Sequence, residues 1–149
     1  MTTVDENKTR TGLLGEKIVA KYYRDQGMKV DESLDLYDRK KDMTIDSETC
    51  EIKTQQLWYK ENSFTVKENQ IKKCSEVDKL IFVETPSKFN NFKVSIYEYP
   101  KNKRQTKVKL TSDNRKMHLY NKDNGILLTT ITDDVIINQF KRYSVSSWS

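Results

Sequence analysis

The stretch from Asp42 to Gln55, Asp-Met-Thr-Ile-Asp-Ser-Glu-Thr-Cys-Glu-Ile-Lys-Thr-Gln, limits the fold more than any other part of the chain. Apolar residues fall at Met43, Ile45, Cys50 and Ile52, and polar ones at Asp42, Thr44, Thr49, Glu51 and Lys53. Strand side chains alternate between two faces, so the pattern predicts a β-hairpin turning at Asp46-Ser47. An even-numbered turn there sets Asp42 opposite Glu51, and opposite residues share a face. One face is apolar enough to be buried. The other gathers two carboxylates and an ammonium.

Neighbouring carboxylates repel one another unless a cation sits between them. A magnesium ion suits that place, because it takes oxygen ligands and keeps several waters. The main-chain carbonyl of Ile52, between the two functional side chains, is a further candidate ligand. Lys53, two residues after Glu51, points at the same spot. There it could orient an attacking water or offset charge on a pentavalent phosphate. The chemistry predicted is metal-assisted hydrolysis of a phosphodiester. Asp35, Asp38 and Asp46 are other acids within reach; Asp42 is preferred because it opens the strand and faces Glu51. An ordinary hairpin with a charged solvent face is the competing reading.

Asp42, eight intervening residues and then Glu51-Ile52-Lys53 resemble the motif of the PD-(D/E)XK nucleases, with Lys41 where that family often has proline. The resemblance implies an α/β (α+β) fold, a restriction-endonuclease-like mixed β-sheet flanked by helices. It implies DNA as substrate and Mg2+ or Mn2+ as cofactor. Asp42, Glu51 and the Ile52 carbonyl would hold the metal, while Lys53 would position water and stabilise the transition state. The family also has an acid on its first helix, which Glu16 could supply as auxiliary ligand or water orienter. A solvated surface glutamate is the other reading of Glu16. The glutamine that often follows the lysine is matched by Gln55, which would steady the lysine or a phosphate, and Gln56 could replace it. Family members commonly carry a helix after the motif strand, which brings Gln70 towards DNA or water. Many such domains dimerise to cut both strands, so a homodimer is compatible with the resemblance. The matched positions run from Glu16 to about Gln70.

At 149 residues the chain is expected to be one domain, 1–149, with polar tails at 1–8 and 144–149. A net charge of +5 and a pI of about 9.1 favour an anionic partner. Two distant cysteines in apolar patterns read as reduced, buried thiols rather than a disulfide framework. No apolar run approaches membrane-spanning length and the first residues are no signal peptide, so an intracellular, cytoplasmic protein is expected. One histidine and two cysteines cannot furnish a zinc site, and His118 is expected to be structural. Four glycines form no phosphate-binding loop.

Elsewhere, Thr9 or Thr11 is expected to cap a helix reaching about Gln26, with Gly27 as its stop. Gly12, Glu16 and Ala20, four apart, are its expected face of close approach to the sheet. Met28 to Val30 and Phe64 to Val66 are predicted strands. A helix follows over 67–75, with Gln70, Ile71 and Cys74 inside and Lys67, Lys72 and Lys73 outside. Trp58 and Tyr59 either stack on bases or belong to the core. Leu80 to Val83 reads as a central strand buried on both faces, and Phe92 to Tyr97 as a strand with one covered face. Lys107 to Leu110 alternates like an edge strand. Met117 to Tyr120 and Ile126 to Ile131, around a turn at Asn121–Gly125, predict a second hairpin. Thr132 or Asp133 caps a last helix. Seven basic residues and one acid between Lys101 and Lys116 make an arm for phosphates or a guard against aggregation. The predicted DNA contacts are Lys67, Gln70, Lys72, Lys73, Lys103, Arg104 and Lys107. A catalytically silent DNA-binding or accessory protein on the same fold is the alternative, and an unrelated basic protein-interaction module is a third.

Overall fold

The computed structural model describes residues 4–32 and 43–143. Within them lie three α-helices and nine strands in a mixed α/β arrangement. Helix α1 (Val4–Asp25) leads to β1 (Val30–Glu32), β2 (Met43–Ile45) and β3 (Glu48–Gln55). Strand β4 (Ser63–Lys67) runs directly into α2 (Glu68–Glu76), followed by β5 (Lys79–Glu84) and β6 (Val94–Tyr99). The chain continues through β7 (Lys107–Leu110), β8 (Lys116–Asn121) and β9 (Ile126–Ile131) to α3 (Asp134–Tyr143).

The larger sheet has the order β1-β2-β3-β5-β6-β9; the smaller is β4-β8-β7. Among the described strands only β3 and β5 run parallel, pairing Glu51 with Leu80, Lys53 with Phe82 and Gln55 with Glu84. Three layers result. Ile18, Val19, Ala20 and Tyr23 of α1, with Ile137 and Phe140 of α3, cover the sheet face bearing Met43, Ile45, Cys50, Ile52, Ile81 and Val83. The opposite face, with Leu80, Phe82, Tyr97 and Tyr99, packs on Phe64, Val66 and Tyr120 of the small sheet and Cys74 of α2. Leu80, Ile81, Phe82 and Val83 are thus buried alternately into two cores, as a central strand requires. Both cysteines are buried and no disulfide joins them.

The first hairpin has the expected register. Met43 pairs with Cys50, Thr44 with Thr49 and Ile45 with Glu48. Asp46 and Ser47 take φ of 48° and 68°, the paired left-handed geometry whose twist matches the flanking strands. Asp46 further fixes the turn by accepting a hydrogen bond from the Lys29 amide at 2.8 Å. Asp133 accepts from the amides of Val135 and Ile136, so it, not Thr132, caps α3.

Several expectations need correction. Helix α1 begins at Val4, so neither Thr9 nor Thr11 starts it. The first strand starts at Val30, because Gly27, at φ +82°, and Met28 complete the helix C-terminus with bonds to the carbonyls of Arg24 and Tyr23. The close approach of α1 to the sheet is at Gly15 rather than Gly12. A Cβ at Gly15 would lie 1.9 Å from Thr54 Oγ1, whereas one at Gly12 would meet nothing within 4 Å. The second hairpin does not form. β8 pairs with β4 and β7, and β9 pairs with β6, so residues 122–124 carry the chain from one sheet to the other. The Asn121 side chain accepts from the Asp123 amide, its carbonyl accepts from the Tyr99 hydroxyl at 2.9 Å, and Gly125 lies against the Tyr99 ring. The hairpin is instead β7–β8, with β7 at the sheet edge as expected.

Glycine to alanine in a helix interior ordinarily stabilises by about 1 kcal/mol. Gly15→Ala should reverse that sign and lose about 1–3 kcal/mol through overpacking. Urea unfolding measures it, and Thr54→Ala in the same chain should recover part of the loss while Gly12→Ala alone stays neutral or stabilising.

Candidate active site on the face of strand β3

Strand alternation sends Cys50, Ile52 and Thr54 to the α1 side and Glu51, Lys53 and Gln55 to the other. Glu51 is only 2% exposed, an unusual degree of burial for a carboxylate. Two ammonium groups answer it. Lys73 Nζ of α2 stands 2.7 Å from Oε2, and Lys53 Nζ stands 3.9 Å from Oε1. The Lys73 contact is the closer ion pair of the two. Lys53 donates to Gln70 Oε1 at 3.1 Å, which fixes its ammonium beside the carboxylate. The helix that follows the motif strand therefore does overhang it, and supplies both Gln70 and Lys73.

The remaining predicted site residues are distributed as follows. Asp42 lies outside the described residues, as do Asp35 and Asp38. Ile52 turns its side chain into the α1-side core and could contribute only main-chain atoms. Glu16 is half-buried on α1, which packs against the sheet face opposite Glu51 and Lys53. Gln55 bridges the two sheets: its amide donates to the Thr65 carbonyl at 2.9 Å and its oxygen accepts from the Thr65 amide at 2.8 Å. Steadying the lysine falls to Gln70. Among the described residues no three of His, Cys, Asp and Glu converge as a metal site would need. Glu51 supplies one oxygen donor of the kind a hard cation takes, held by a central strand, but it is already paired with the Lys73 ammonium.

The predicted nucleic-acid contacts divide. Lys67, Lys72, Lys103 and Lys107 are exposed, Lys107 with Glu61 3.9 Å away. Lys73 is not on the outer face of α2 but at Glu51, with its side chain 22% exposed. Sequence periodicity placed it outside because only apolar residues mark an inner stripe, and a lysine drawn in by a buried acid leaves no such mark. Arg104 cannot meet phosphate. It is 8% exposed and donates to the carbonyls of Tyr99 (2.7 Å), Val77 (2.5 Å) and Asp78 (3.1 Å), with Cys74 and Ser75 slightly farther. It closes the C-terminus of α2, where orphan carbonyls and the helix dipole both favour a cation. An open cleft of about 560 Å³ at the other end of α2 adds Arg115 and Lys116 to Lys67, alongside Glu68 and Asp113.

A second buried acid carried no signal in the sequence. Glu84, 1% exposed, ends β5, where the Tyr59 hydroxyl donates to it and Lys122 lies 3.7 Å away. Burial, and then the bond to Glu84, push the Tyr59 hydroxyl above the usual phenol range. Glu84 pairs with Gln55, four positions beyond the Glu51–Leu80 pair, about 13 Å along the strand. It ties a loop to the sheet and lies apart from Glu51. Tyr59 packs tilted against Phe89 with ring centroids 4.9 Å apart, whereas Trp58 is 39% exposed under Lys109. His118 bridges Thr106 and Glu68. No helix among the described residues is long and apolar enough to cross a membrane. No family model, curated protein or solved structure matches this chain.

Arg104→Met should destabilise the protein by about 2–4 kcal/mol, since it leaves several buried carbonyls unpaired. Lys103→Met, one residue away and exposed, should change stability by less than about 0.5 kcal/mol in the same urea titration.

Proposed function

We propose that the chain is a magnesium- or manganese-dependent DNA endonuclease of the PD-(D/E)XK kind. The observation that carries the reading is the convergence, on one face of β3, of the buried Glu51 and of Lys53 held by Gln70. The reading requires Asp42, the residue before Met43, to follow the hairpin register and stand opposite Glu51. Asp42 and Glu51 would then hold the metal, with the Ile52 carbonyl as a further oxygen. Such an ion, when bound, lowers the pKa of a coordinated water and neutralises charge on a phosphate.

The chain's own residues would do the rest. Gln70 fixes the Lys53 ammonium, which can donate to the attacking water and to a non-bridging phosphate oxygen as negative charge grows there. The Cys50 and Ile52 side chains, locked in the core behind, keep β3 from rotating and so hold Glu51 and Lys53 in place. Lys67, Lys72, Lys103 and Lys107 offer exposed charge for phosphates flanking the scissile one. Binding carried by such contacts should weaken steeply with salt.

One observation favours the silent DNA-binding alternative, namely that the Glu51 charge is already met by two lysines. Cleavage of single-stranded, duplex, flap and junction DNA, with and without Mg2+, separates the two. Glu51→Ala and Lys53→Ala should each reduce Mg2+-dependent cleavage by at least about 100-fold, with the circular dichroism spectrum retained. Wild-type rates in either variant would refute the assignment.

A further inference from the structure

Two aromatic rings stand in solvent just beyond the ends of β3 and β5. Trp58 is 39% exposed and Phe89 is 58% exposed. Both are carried on turns that hydrogen bonds hold in place. The Trp58 main chain exchanges two bonds with Ser63, at 2.9 and 3.2 Å. Phe89 lies in a short 3-10 helix (Lys88–Asn90), where the Ser87 hydroxyl accepts from its amide at 3.2 Å and the Asn90 side chain donates to the Thr85 carbonyl at 3.0 Å. Tyr59, next to Trp58 in the chain, packs on Phe89 and is pinned by its hydroxyl to the buried Glu84. Each exposed ring also has an ammonium over it. Lys109 Nζ lies 5.5 Å from the Trp58 centroid, and Lys88 Nζ lies 5.2 Å from that of Phe89. Lys60 is exposed in the same turn, and Glu61 beside it pairs with Lys107 and Lys109. Four lysines to one glutamate leave the patch positive.

We propose that Trp58 and Phe89 are a stacking platform for the unpaired bases of single-stranded DNA, with Lys60, Lys88, Lys107 and Lys109 meeting its phosphates. This rests on DNA being the partner, and it narrows the substrate to DNA with an unpaired stretch. Single exposed rings are ordinary on a protein surface. Two rings on adjoining fixed turns, each with a cation at its face, combine the two contacts that a single strand offers: a flat base and a phosphate. A duplex supplies the phosphates but keeps its base faces covered within the stack. Each lysine can leave its ring for a phosphate and so uncover the face to a base. Because the turns are already held, little ordering is needed on binding. The platform also adjoins the candidate site. Glu84, which pins Tyr59, pairs with Gln55, two residues and about 7 Å beyond Lys53 along β3. A strand stacked on these rings would therefore lead towards Lys53.

Fluorescence anisotropy of labelled DNA with the full chain, in EDTA so that nothing is cut, tests this. The probes are a thymidine oligonucleotide of about 15 nucleotides, an abasic strand of the same length and charge, and a duplex. Trp58→Ala and Phe89→Ala should each weaken binding of the thymidine strand about tenfold and leave the abasic strand and the duplex unchanged. Trp58→Phe should keep most of the affinity. Equal losses on all three probes, or no loss on the thymidine strand, overturn the platform and leave DNA as the partner. Failure of wild type to bind any probe overturns both. Should an alanine variant fail to fold, Trp148→Phe makes Trp58 the sole tryptophan. Its fluorescence should then be quenched by the thymidine strand and not by the abasic one, and equal responses to both refute the stacking.

Discussion

The parallel pairing of β3 with β5 is the constraint from which the rest of the molecule follows. Two parallel strands cannot be joined by a tight turn; the chain must leave the sheet, cross one of its faces and return. Here the crossing segment contains β4 and α2. It necessarily lies over the face to which Glu51, Lys53 and Gln55 point, because α1 and α3 cover the other. Gln70 and Lys73 thus reach the motif residues as a result of chain topology. Gln55 secures the arrangement by pairing its carboxamide with both main-chain groups of Thr65, as another strand would.

Burial and charge reinforce one another at Glu51. With almost no access to water, the carboxylate draws in whatever cations the surrounding elements can extend, and α2 extends one from its last turn. The same helix end is also held by Arg104, whose guanidinium meets carbonyls rather than acids. Both interactions stabilise charged groups inside the protein with partners of definite geometry, the condition under which buried charge is tolerated.

The parts of this structure legible in the sequence were those written as periodicity or turn chemistry. The Asp46-Ser47 hairpin, the doubly buried run Leu80 to Val83, the edge strand at Lys107 and the cap at Asp133 follow from local residue patterns, and each is present. What local pattern cannot encode is which of two sheets a strand joins. Ile126 to Ile131 follows Met117 to Tyr120 across a good turn sequence, yet it pairs with β6 of the larger sheet, with Gly125 against the Tyr99 ring. Charged side chains that turn inward are equally silent. Lys73, Arg104 and Glu84 look like surface residues in one dimension, and each is explained only by a partner remote in sequence: Glu51, the end of α2, or Tyr59 and Lys122. At the candidate site, Glu51, Lys53 and Gln70 could be read from the motif and from helix spacing. The second lysine could not.

Arg104 has one more consequence. Its guanidinium clamps the chain just after β6 to the end of α2. Lys101 and Lys103 protrude from this anchored backbone, and Lys107 begins the strand that follows. A polyanion lying across these lysines would have to immobilise only their side chains, since the main chain beneath them is already in place, and the ordering entropy that a loose basic tail must surrender on capture would be avoided.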